Sequence, residues 1–351
     1  MNRHIIQYEQ TIQTALERLS NLGRDTTLIV VDKASSLRGT LTDGDIRRGL
    51  LSGCSLSDKV IMISNKNPQY LYYGKHFDFK KFLELKSNGQ YRILPLIEFQ
   101  TKKVLEVINL NNQKSKLPVT AILMAGGEGK RLRPLTEKIP KPLIEVCGKE
   151  IINHNIDNLI EYGIKNYFIS VKYLKEQIKT KLGDGSSKRI SINYSEEDIP
   201  LGTAGCLSMV LKDVDDEHIL LSNSDILTTL NYENMFKFHL ENNADMTIAS
   251  IQYDVPIPFA ILEEKNGRIL SLKEKPTISY YANAGIYFIK KDVAKKIIPR
   301  NQKYDATDLI EDMIKNRHIV MKYKIDGEWI DIGRHEELER AEKLLKNLNY
   351  E

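Results

Sequence analysis

The sequence predicts an α/β protein in which a larger domain, built on a central sheet, follows a smaller α+β domain. The apolar run 119–125 ends in glycines, as a central parallel strand of an α/β sheet does. The polar stretch 109–118 contains no aromatic residue and interrupts the composition, which is typical of a connector. Before it, a helix–strand–strand pattern occurs twice at a spacing of roughly 60 residues, which indicates an internal duplication.

Length and composition limit the function classes. The chain has 351 residues, and 51 basic against 47 acidic side chains give a net charge of +4, too small to predict a nucleic-acid or membrane partner. No apolar run is long enough for a membrane span or a signal peptide. The three cysteines are scattered, so we expect neither a disulfide framework nor a zinc site, and a reducing cytoplasm is the expected location.

The smaller domain is predicted from two similar runs of elements. In the first run, apolar residues at helical spacing predict a helix over 12–19, followed by strands over 26–31 and 37–41 and a helix near Asp45. Thr42 or Asp43 is the expected cap of that last helix. The second run predicts a helix over 77–85 and two strands over 91–97 and 103–110.

The string GTLTDGDI at 39–46 resembles the ending of a cystathionine-β-synthase-type domain, or CBS domain. Such domains occur in tandem pairs and often bind adenosine nucleotides. The resemblance implies that Thr42 contacts phosphate and that Asp45 accepts the ribose hydroxyls. The second run has no aspartate matching Asp45, so at most one nucleotide site is expected. The alternative is a packing or dimerisation module that binds no ligand.

The larger domain begins with a glycine-rich loop, GGEGKRLRP, directly after the strand 119–125. Glycines after a first strand allow backbone N–H groups to approach phosphates, and three basic residues lie in the same loop. Met124 stands where a Walker A loop needs glycine, and Leu132 stands where the dinucleotide motif needs one, so both motifs are excluded. The loop by itself leaves phosphate binding and a plain tight turn open.

The longer string LMAGGEGKRLRPLTEKIPKPL, at 123–143, resembles the signature of sugar-1-phosphate nucleotidyltransferases, a family that includes glucose-1-phosphate thymidylyltransferases and mannose-1-phosphate guanylyltransferases. The resemblance implies a Rossmann-like, GT-A-like domain with a mixed central sheet over 119–351. It would follow a CBS pair at 1–113 and a linker at 114–118. The implied reaction joins a nucleoside triphosphate and a sugar 1-phosphate, and releases pyrophosphate.

This reaction needs cations and backbone N–H donors, because they neutralise the charge of two phosphorylated anions that must come together. The attacking phosphate is already ionised at neutral pH, so no general base is required. The resemblance implies that the triphosphate is held by Arg131 and by the amides of Gly126, Gly127 and Gly129. It implies that Lys141, fixed between two prolines, bridges the two phosphates.

Two aspartates are the implied catalytic ligands for Mg²⁺. Asp225 follows an apolar strand, where open α/β sheets place their ligands, and Asp331 lies in GEWIDIG, which resembles the family's Trp-x-Asp-x-Gly element. The family usually has glycine before the first aspartate, whereas this chain has Ser224. Each aspartate taken alone is also compatible with a turn or helix cap.

The segment YSEEDIPLGTAG at 194–205 resembles the base-recognition segment of the guanylyltransferases, with Glu197, Gly202 and Thr203 implied at the nucleotide. A carboxylate can accept hydrogen bonds from the adjacent N1–H and N2–H₂ groups of guanine, which favours GTP as the substrate. Two alternatives stay open: Glu197 is a surface acid without a base contact, or the substrate is UTP or dTTP. The implied sugar-binding residues are Glu274, Lys275, Asn283 and Gly285.

Two hexose 1-phosphates are candidates for the acceptor. A CBS pair ahead of such a domain resembles the glucosamine-1-phosphate guanylyltransferases of legionaminic acid pathways, and mannose 1-phosphate is the direct competitor. We expect a homo-oligomer. An inactive nucleotide-sensing regulator is the alternative from another class, although Arg131, Lys141 and both aspartates are present.

Overall fold

Two structural units divide the chain at Pro118. The computed structural model describes residues 3–23, 25–111, 114–197, 199–300 and 302–348, and its contacts separate unit 1–118 from unit 119–351. Within the described residues, no helix combines the length and the apolar character that a membrane crossing requires.

The first unit repeats one strand–helix–strand–strand arrangement. Its strands are β1 (Ile5–Gln7), β2 (Thr27–Val31), β3 (Leu37–Thr42), β4 (Leu71–Tyr72), β5 (Ile93–Ile97) and β6 (Val104–Asn109). Its helices are α1 (Ile12–Ser20), α2 (Asp43–Leu51) and α3 (Phe79–Asn88). In each half the first strand runs parallel to the second, and the second runs antiparallel to the third. The predicted helices and strands are therefore present, and each half also has a short leading strand that the sequence pattern did not indicate.

Backbone hydrogen bonds join the turns of the two halves. Leu37 donates its N–H to the carbonyl of Lys102 at 3.0 Å, and Val104 donates to Ser35 at 2.9 Å. The apolar side chains of β2 alternate between two clusters, with Leu28 and Val30 in one and Ile29 in the other. The halves thus share both hydrogen bonds and core.

The segment 114–118, predicted as a linker, belongs to the first unit. Ser115 and Leu117 are buried. Lys116 forms an ion pair with Glu106 at 3.1 Å. A polar composition therefore does not make this segment an exposed tether, since its charges and apolar side chains find partners.

The second unit contains thirteen strands and eight helices among its described residues. The strands are β7 (Val119–Met124), β8 (Glu145–Val146), β9 (Lys149–Glu150), β10 (Asn166–Val171), β11 (Ser191–Glu196), β12 (His218–Asn223), β13 (Ile226–Thr228), β14 (Met246–Pro256), β15 (Ile261–Lys265), β16 (Arg268–Lys273), β17 (Thr277–Lys290), β18 (Val320–Lys324) and β19 (Trp329–Asp331). The helices are α4 (Ile151–Glu161), α5 (Lys175–Leu182), α6 (Gly202–Gly205), α7 (Leu207–Val210), α8 (Tyr232–Glu241), α9 (Lys291–Ile297), α10 (Ala306–Lys315) and α11 (His335–Leu348).

The central sheet of this unit has seven strands in the order β11-β10-β7-β12-β17-β14-β18. Strands β11, β10, β7 and β12 are mutually parallel, and β17 is antiparallel to both of its neighbours. The sheet is therefore mixed, as the resemblance implied. Strands β7 and β12 are buried along almost their whole length, because helices cover a central sheet of this kind.

Beyond the sheet, β14 and β17 continue together as a two-stranded ribbon. The pairing runs as far as Pro256 with Thr277, and the chain between them forms the hairpin β15–β16. We call residues 251–282 the arm. Its residues are mostly exposed, in contrast to the buried part of the same strands inside the sheet.

Candidate functional site

The predicted phosphate and metal residues meet at the carboxyl ends of neighbouring parallel strands. Met124 at the end of β7 is paired with Ser170 of β10 on one side and with Asn223 of β12 on the other. The glycine loop follows β7, and Asp225 lies two residues beyond β12. Parallel order thus gathers these segments at one sheet edge, where open α/β sheets bind ligands.

Lys141 lies between the two aspartates that the sequence assigns to the metal. It is buried, and its Nζ donates to Oδ2 of Asp225 and is 3.5 Å from Oδ1 of Asp331. The short antiparallel pair β13–β19 aligns Ile226 with Asp331 and so brings the second aspartate to the first. One cation and two carboxylates therefore form a single cluster.

One oxygen atom of each carboxylate in the cluster accepts no hydrogen bond from the described residues, although Asp331 Oδ1 is 3.5 Å from the Lys141 Nζ. Oδ1 of Asp225 and Oδ1 of Asp331 are buried and accept no hydrogen bond within the described residues. Burial raises the pKa of Asp225, the charge of Lys141 opposes that rise, and the charge of Asp331 adds to it. A buried, incompletely paired carboxylate is costly unless a cation compensates it, so these atoms fit a hard divalent ion.

Two carboxylates are too few ligands for a metal site that is formed by protein side chains alone. The described residues contain no group of three or more histidine, cysteine or acidic side chains able to hold an ion. Mg²⁺ commonly takes one or two carboxylates and completes its shell with water and substrate phosphates. The two aspartates therefore suit an ion that binds together with a phosphorylated substrate.

The glycine loop packs directly onto this cluster. Gly129 has a φ of +63°, and an added Cβ would lie 2.9 Å from Thr136 Cγ2 and 3.0 Å from Lys141 Cβ. The hydroxyl of Thr136 donates to the Gly129 carbonyl at 2.9 Å. Only glycine fits both the backbone conformation and this close approach, which fixes the loop against the lysine.

Arg131 packs against the segment that follows Asp331. Its guanidinium lies 3.0 Å from where a Cβ on Gly333 would be, two residues beyond Asp331. The Arg131 side chain is exposed, whereas Lys141 is buried. Of the two predicted phosphate-binding cations, Lys141 is therefore buried in the cluster, and Arg131 is open to solvent beside the segment that follows Asp331.

Ser224, which stands where the family usually has glycine, links two strand ends. Its hydroxyl donates to the Met124 carbonyl at 2.6 Å, and the Ser224 carbonyl accepts from the Asn155 side chain at 3.0 Å. Ser224 is buried and has no positive φ. The substitution therefore adds a hydrogen bond between β7 and the segment that carries Asp225, without backbone strain.

Glu197, the predicted base-binding residue, has both carboxylate oxygens in use. The Ser170 hydroxyl donates to Oε1, and the Leu201 N–H donates to Oε2 at 3.0 Å. A carboxylate can accept about four hydrogen bonds, so sites remain for further donors. The structure adds a function that the sequence did not show, since Glu197 holds the segment that leads to Gly202.

Thr203 and Asp305 form a reciprocal connection that was not predicted. Asp305 Oδ1 accepts from the Thr203 N–H at 3.0 Å, and the Thr203 hydroxyl accepts from the Ala306 N–H at 2.7 Å. Gly202 has a φ of +79°, and a Cβ there would lie 2.5 Å from Asp305 Oδ1. Thr203 therefore has a structural partner, and α10 positions the predicted nucleotide segment.

Two predicted sugar residues lie where the arm enters the sheet. Asn283 is exposed, its Nδ2 donates to the Tyr287 hydroxyl at 2.9 Å, and its Oδ1 accepts from the Gly285 N–H at 2.9 Å. Gly285 packs on Asn223, since an added Cβ would lie 2.6 Å from Asn223 Nδ2. Trp329 donates to the Ala284 carbonyl at 2.9 Å, which links this segment to the strand that carries Asp331.

The other two sugar residues are separate from the cluster. Glu274 and Lys275 are exposed in the turn between β16 and β17, and Lys275 has a φ of +43°. Neither lines the cavity beside the glycine loop. The structure therefore brings Asn283 and Gly285 next to the metal segments, but leaves Glu274 and Lys275 on the arm.

A cavity of about 310 Å³ opens beside the cluster, between the glycine loop and the base-recognition segment. Its lining includes the predicted residues Gly126, Gly127, Lys141, Glu197, Gly202, Thr203 and Asp225. It also includes Lys172, which the sequence analysis missed and which has no hydrogen bond or ion pair within the described residues. Lys172 directly follows β10, so its position at a strand end was the available signal.

In the first unit, the predicted ligand residues Thr42 and Asp45 bind each other. The Thr42 hydroxyl donates to Asp45 Oδ2 at 2.7 Å, and the Asp45 N–H donates back to that hydroxyl at 3.3 Å. Asp45 also forms an ion pair with Arg48 at 2.5 Å. This capping box explains both residues as the start of α2 without any ligand.

A comparison with protein families matches most of the second unit. Residues 120–347 fit the family described as "Nucleotidyl transferase". The match includes the glycine loop, Lys141, both aspartates and the base-recognition segment.

Curated relatives match over the same part of the chain. The mannose-1-phosphate guanylyltransferase catalytic subunit beta of Danio rerio is 30% identical over 221 residues, and mannose-1-phosphate guanylyltransferase 1 of Arabidopsis thaliana is 32% identical over 222 residues. Each match covers 61% of this chain and 61% of the relative.

Solved structures show the same fold. HddC from Yersinia pseudotuberculosis, alone and complexed with GMP-PN, gives a TM-score of 0.52 at 22% and 20% identity. Each comparison covers 65% of this chain and 99% of HddC.

Proposed function

The chain belongs to the nucleotidyl transferase family, and we propose that it transfers GMP from GTP to a hexose 1-phosphate and releases pyrophosphate. The observation that carries this proposal is the cluster of Lys141, Asp225 and Asp331 beneath the glycine loop. A lysine held between two carboxylates at a strand end is suited to phosphoryl chemistry, which depends on positioning and charge neutralisation.

Each residue of the cluster has a proposed role in bringing two phosphates together. Backbone donors of Gly126 and Gly127 hold the triphosphate, with Arg131 at its solvent side. Lys141 neutralises charge on the phosphorus under attack and on the incoming sugar phosphate. An oxygen of the sugar phosphate then forms the new bond to the α-phosphorus as the bond to pyrophosphate breaks, and no proton has to be removed first.

Asp225 and Asp331 are the proposed holders of Mg²⁺. Their buried Oδ1 atoms, which accept no hydrogen bond within the described residues, support this assignment. When bound, the ion supplies positive charge that neutralises the phosphate oxygens. A pair of protein carboxylates would leave ligand positions for substrate phosphate oxygens.

Guanine is the proposed base because Glu197 offers acceptors next to the cavity. Its carboxylate suits the adjacent N1–H and N2–H₂ donors of guanine better than the single N–H of uracil or thymine. The names of the curated relatives, which are mannose-1-phosphate guanylyltransferases, support GTP and make mannose 1-phosphate the first acceptor to test. Glucosamine 1-phosphate is the second, since a CBS pair preceding the transferase resembles the arrangement of that class.

Pyrophosphate release tests the proposal. The full chain is incubated with Mg²⁺, one of GTP, ATP, CTP, UTP or dTTP, and mannose, glucose or glucosamine 1-phosphate. Release with GTP alone is the expected result, and release only with UTP or dTTP would refute the base assignment. Release with no combination would favour a regulator without transferase activity.

Variants of the cluster test the roles. Asp225→Asn should reduce kcat by roughly a hundredfold or more, since the proposed metal ion would bind less well and the negative charge of the transition state would be less stabilised. The control is Asp326→Asn, an exposed aspartate of the same unit, which should keep full activity. Unchanged pyrophosphate release from Asp225→Asn would remove the metal assignment.

For the first unit, we propose a tandem CBS pair over 1–113 that binds an adenosine nucleotide through Thr42 and Asp45. The repeated strand–helix–strand–strand arrangement supports the pair. A thermal-shift screen with AMP, ATP and GTP tests the site, with Asp45→Ala as the variant that removes the acceptor. A shift that persists in Asp45→Ala would exclude the ribose contact, and no shift in the wild type would leave a packing module.

A further inference from the structure

The second unit contains another cavity, separate from the one beside the glycine loop. It has a volume of about 370 Å³, against about 310 Å³ beside the loop, and the two have no lining residue in common. Residues of helices α7 and α9, and residues shortly after each helix, line it, so we call it the α7–α9 cavity. The Lys291 ammonium donates to the Val214 carbonyl at 3.0 Å, which ties α9 to the chain beyond α7. Cavities of this size commonly bind small molecules.

The charged residues that line the α7–α9 cavity are all cations. They are Lys212, Lys295 and Arg300, and no acidic residue of the described chain lines the cavity with them. All three side chains are exposed, and none forms an ion pair or a side-chain hydrogen bond within the described residues. The acids nearest to them in the sequence, Asp213 and Asp292, do not line the cavity. Unpaired cations around one cavity raise the local concentration of anions.

Helix dipoles do not account for this set of cations. Lys295 lies in the last turn of α9, where a positive charge suits the negative end of the helix. Lys296 occupies the same turn and does so without lining the cavity. Arg300 lies beyond α9, and Lys212 follows α7, a helix of only 4 residues. The shared feature of the three cations is therefore the cavity.

The rest of the lining is mostly apolar. Leu211 and Ile298 are buried, and Met209 is partly buried against the same core cluster. Ser208 adds a hydroxyl, which donates to the Gly205 carbonyl at 2.7 Å and can still accept a hydrogen bond from a ligand. Cations together with apolar side chains suit a ligand that has a phosphate at one end and a sugar or base at the other.

We propose that the α7–α9 cavity binds a phosphorylated small molecule through Lys212, Lys295 and Arg300. A phosphate monoester carries about two negative charges at neutral pH and several acceptor oxygens, which complements this set of cations. Arg300 can bind two phosphate oxygens at once, whereas the two lysines act as point charges. Sugar phosphates and nucleotides share this chemistry.

The walls of the α7–α9 cavity continue into the supports of the base-recognition segment. Tyr304, four residues beyond Arg300, donates its N–H to the Leu201 carbonyl at 2.8 Å, and its carbonyl accepts from the Gly205 N–H at 2.8 Å. Lys212 follows the helix that begins just after the same segment. A phosphate held by Lys212 and Arg300 would therefore connect both ends of the chain that supports this segment.

Hydrogen exchange of the full chain, measured on peptides by mass spectrometry, tests the proposal without turnover. Pyrophosphate, mannose 1-phosphate and GMP are added one at a time. At least one should slow amide exchange over 207–212 and 294–300 at roughly millimolar concentration or below. Lys212→Met/Arg300→Met should weaken this binding by roughly a hundredfold, or about tenfold for each cation removed. Slowing by pyrophosphate shows that phosphate groups suffice, and slowing only by the other two shows that the apolar lining contributes.

The matched control removes one charge from the same turn of α9 without changing the cavity. Lys296→Met should keep the slowed exchange of the wild type. Unchanged exchange over 207–212 and 294–300 with every probe would overturn the proposal, as would equal slowing in Lys212→Met/Arg300→Met. The substituted side chains are exposed, so circular dichroism should match the wild type. If the double variant fails to fold, Lys295→Met gives the same test.

One consequence rests on the proposed function, in which 201–205 helps to bind the nucleotide. A ligand in the α7–α9 cavity should also slow exchange over 201–205, and this effect should disappear in Lys212→Met/Arg300→Met while any slowing over 126–131 remains. Unchanged exchange over 201–205 in the wild type would refute the connection. Because the peptides report separately, failure of this cavity and failure of the proposed nucleotide site give different results.

Discussion

A buried histidine pair in the second unit should make its folding sensitive to acid. His239 is fully buried and shares one hydrogen bond with His218 at 3.1 Å and another with the Thr247 hydroxyl at 2.8 Å. Burial, the largest cause, together with the neighbouring charges of His218 and Lys290, lowers the pKa of His239 from 6.5 to about 3. Burial also lowers the pKa of His218.

The sign and size of the effect follow from proton binding. Below pH 6.5 the unfolded chain protonates this histidine, whereas the folded protein keeps it neutral until the pH approaches its lowered pKa, so stability falls as the pH falls. At about pH 5 the cost is roughly 1.5 pH units at 1.36 kcal/mol each, or about 2 kcal/mol.

Urea denaturation at about pH 8 and pH 5 measures the effect. The perturbation is His239→Gln, which removes the titrating group and should remove about 2 kcal/mol of the wild-type pH dependence. His335→Gln, at an exposed histidine, is the control and should keep the full dependence. If His239→Gln loses as much stability in acid as the wild type, the reasoning from burial is wrong.

Three further predictions concern the site and the cysteines. Gly129→Ala should destabilise the fold by about 1–2 kcal/mol, because its φ is +63°, and should lower kcat by displacing Lys141, which denaturation and steady-state kinetics measure. Lys172→Met should raise KM for the nucleotide with little change in kcat if this lysine binds phosphate equally in ground and transition states; an unchanged KM would contradict that role. Cys147 is exposed and should react readily with a thiol reagent. Burial raises the pKa of Cys206 to about 12, so this thiol should react only on unfolding. Early labelling of Cys206 would contradict its burial.

The sequence alone was sufficient to predict the positions of site segments that directly follow central strands. The glycine loop and Asp225 each follow a continuous apolar run, and the structure places both runs side by side as parallel strands. Their proximity is a consequence of topology, because parallel strands deliver their carboxyl ends to one edge. Asp331 reaches that edge by a different route, a three-residue antiparallel pair, which no periodicity in the sequence indicates.

Residues that act through distant partners were beyond sequence reasoning. Asp305 lies 102 positions from Thr203, and only the folded chain shows that Asp305 accepts from the Thr203 N–H while the Thr203 hydroxyl accepts from the Ala306 N–H. Glu197 was assigned to the base from its motif, while its hydrogen bond to the Leu201 N–H depends on a loop conformation that the motif does not state. The leading strands of the first unit have three and two residues, too few for a hydrophobic period.

Lys141 shows why roles assigned separately from motifs need not be independent. The sequence assigns the lysine to phosphate binding and the aspartates to metal binding, but the folded protein pairs one lysine with two carboxylates in one cluster. Removing Lys141 leaves two carboxylates uncompensated, and removing Asp225 leaves a buried lysine with Asp331 at 3.5 Å. Each single variant therefore reports on all three residues. Only a double-mutant cycle that combines Lys141→Met with Asp225→Asn can separate lost catalysis from lost charge balance.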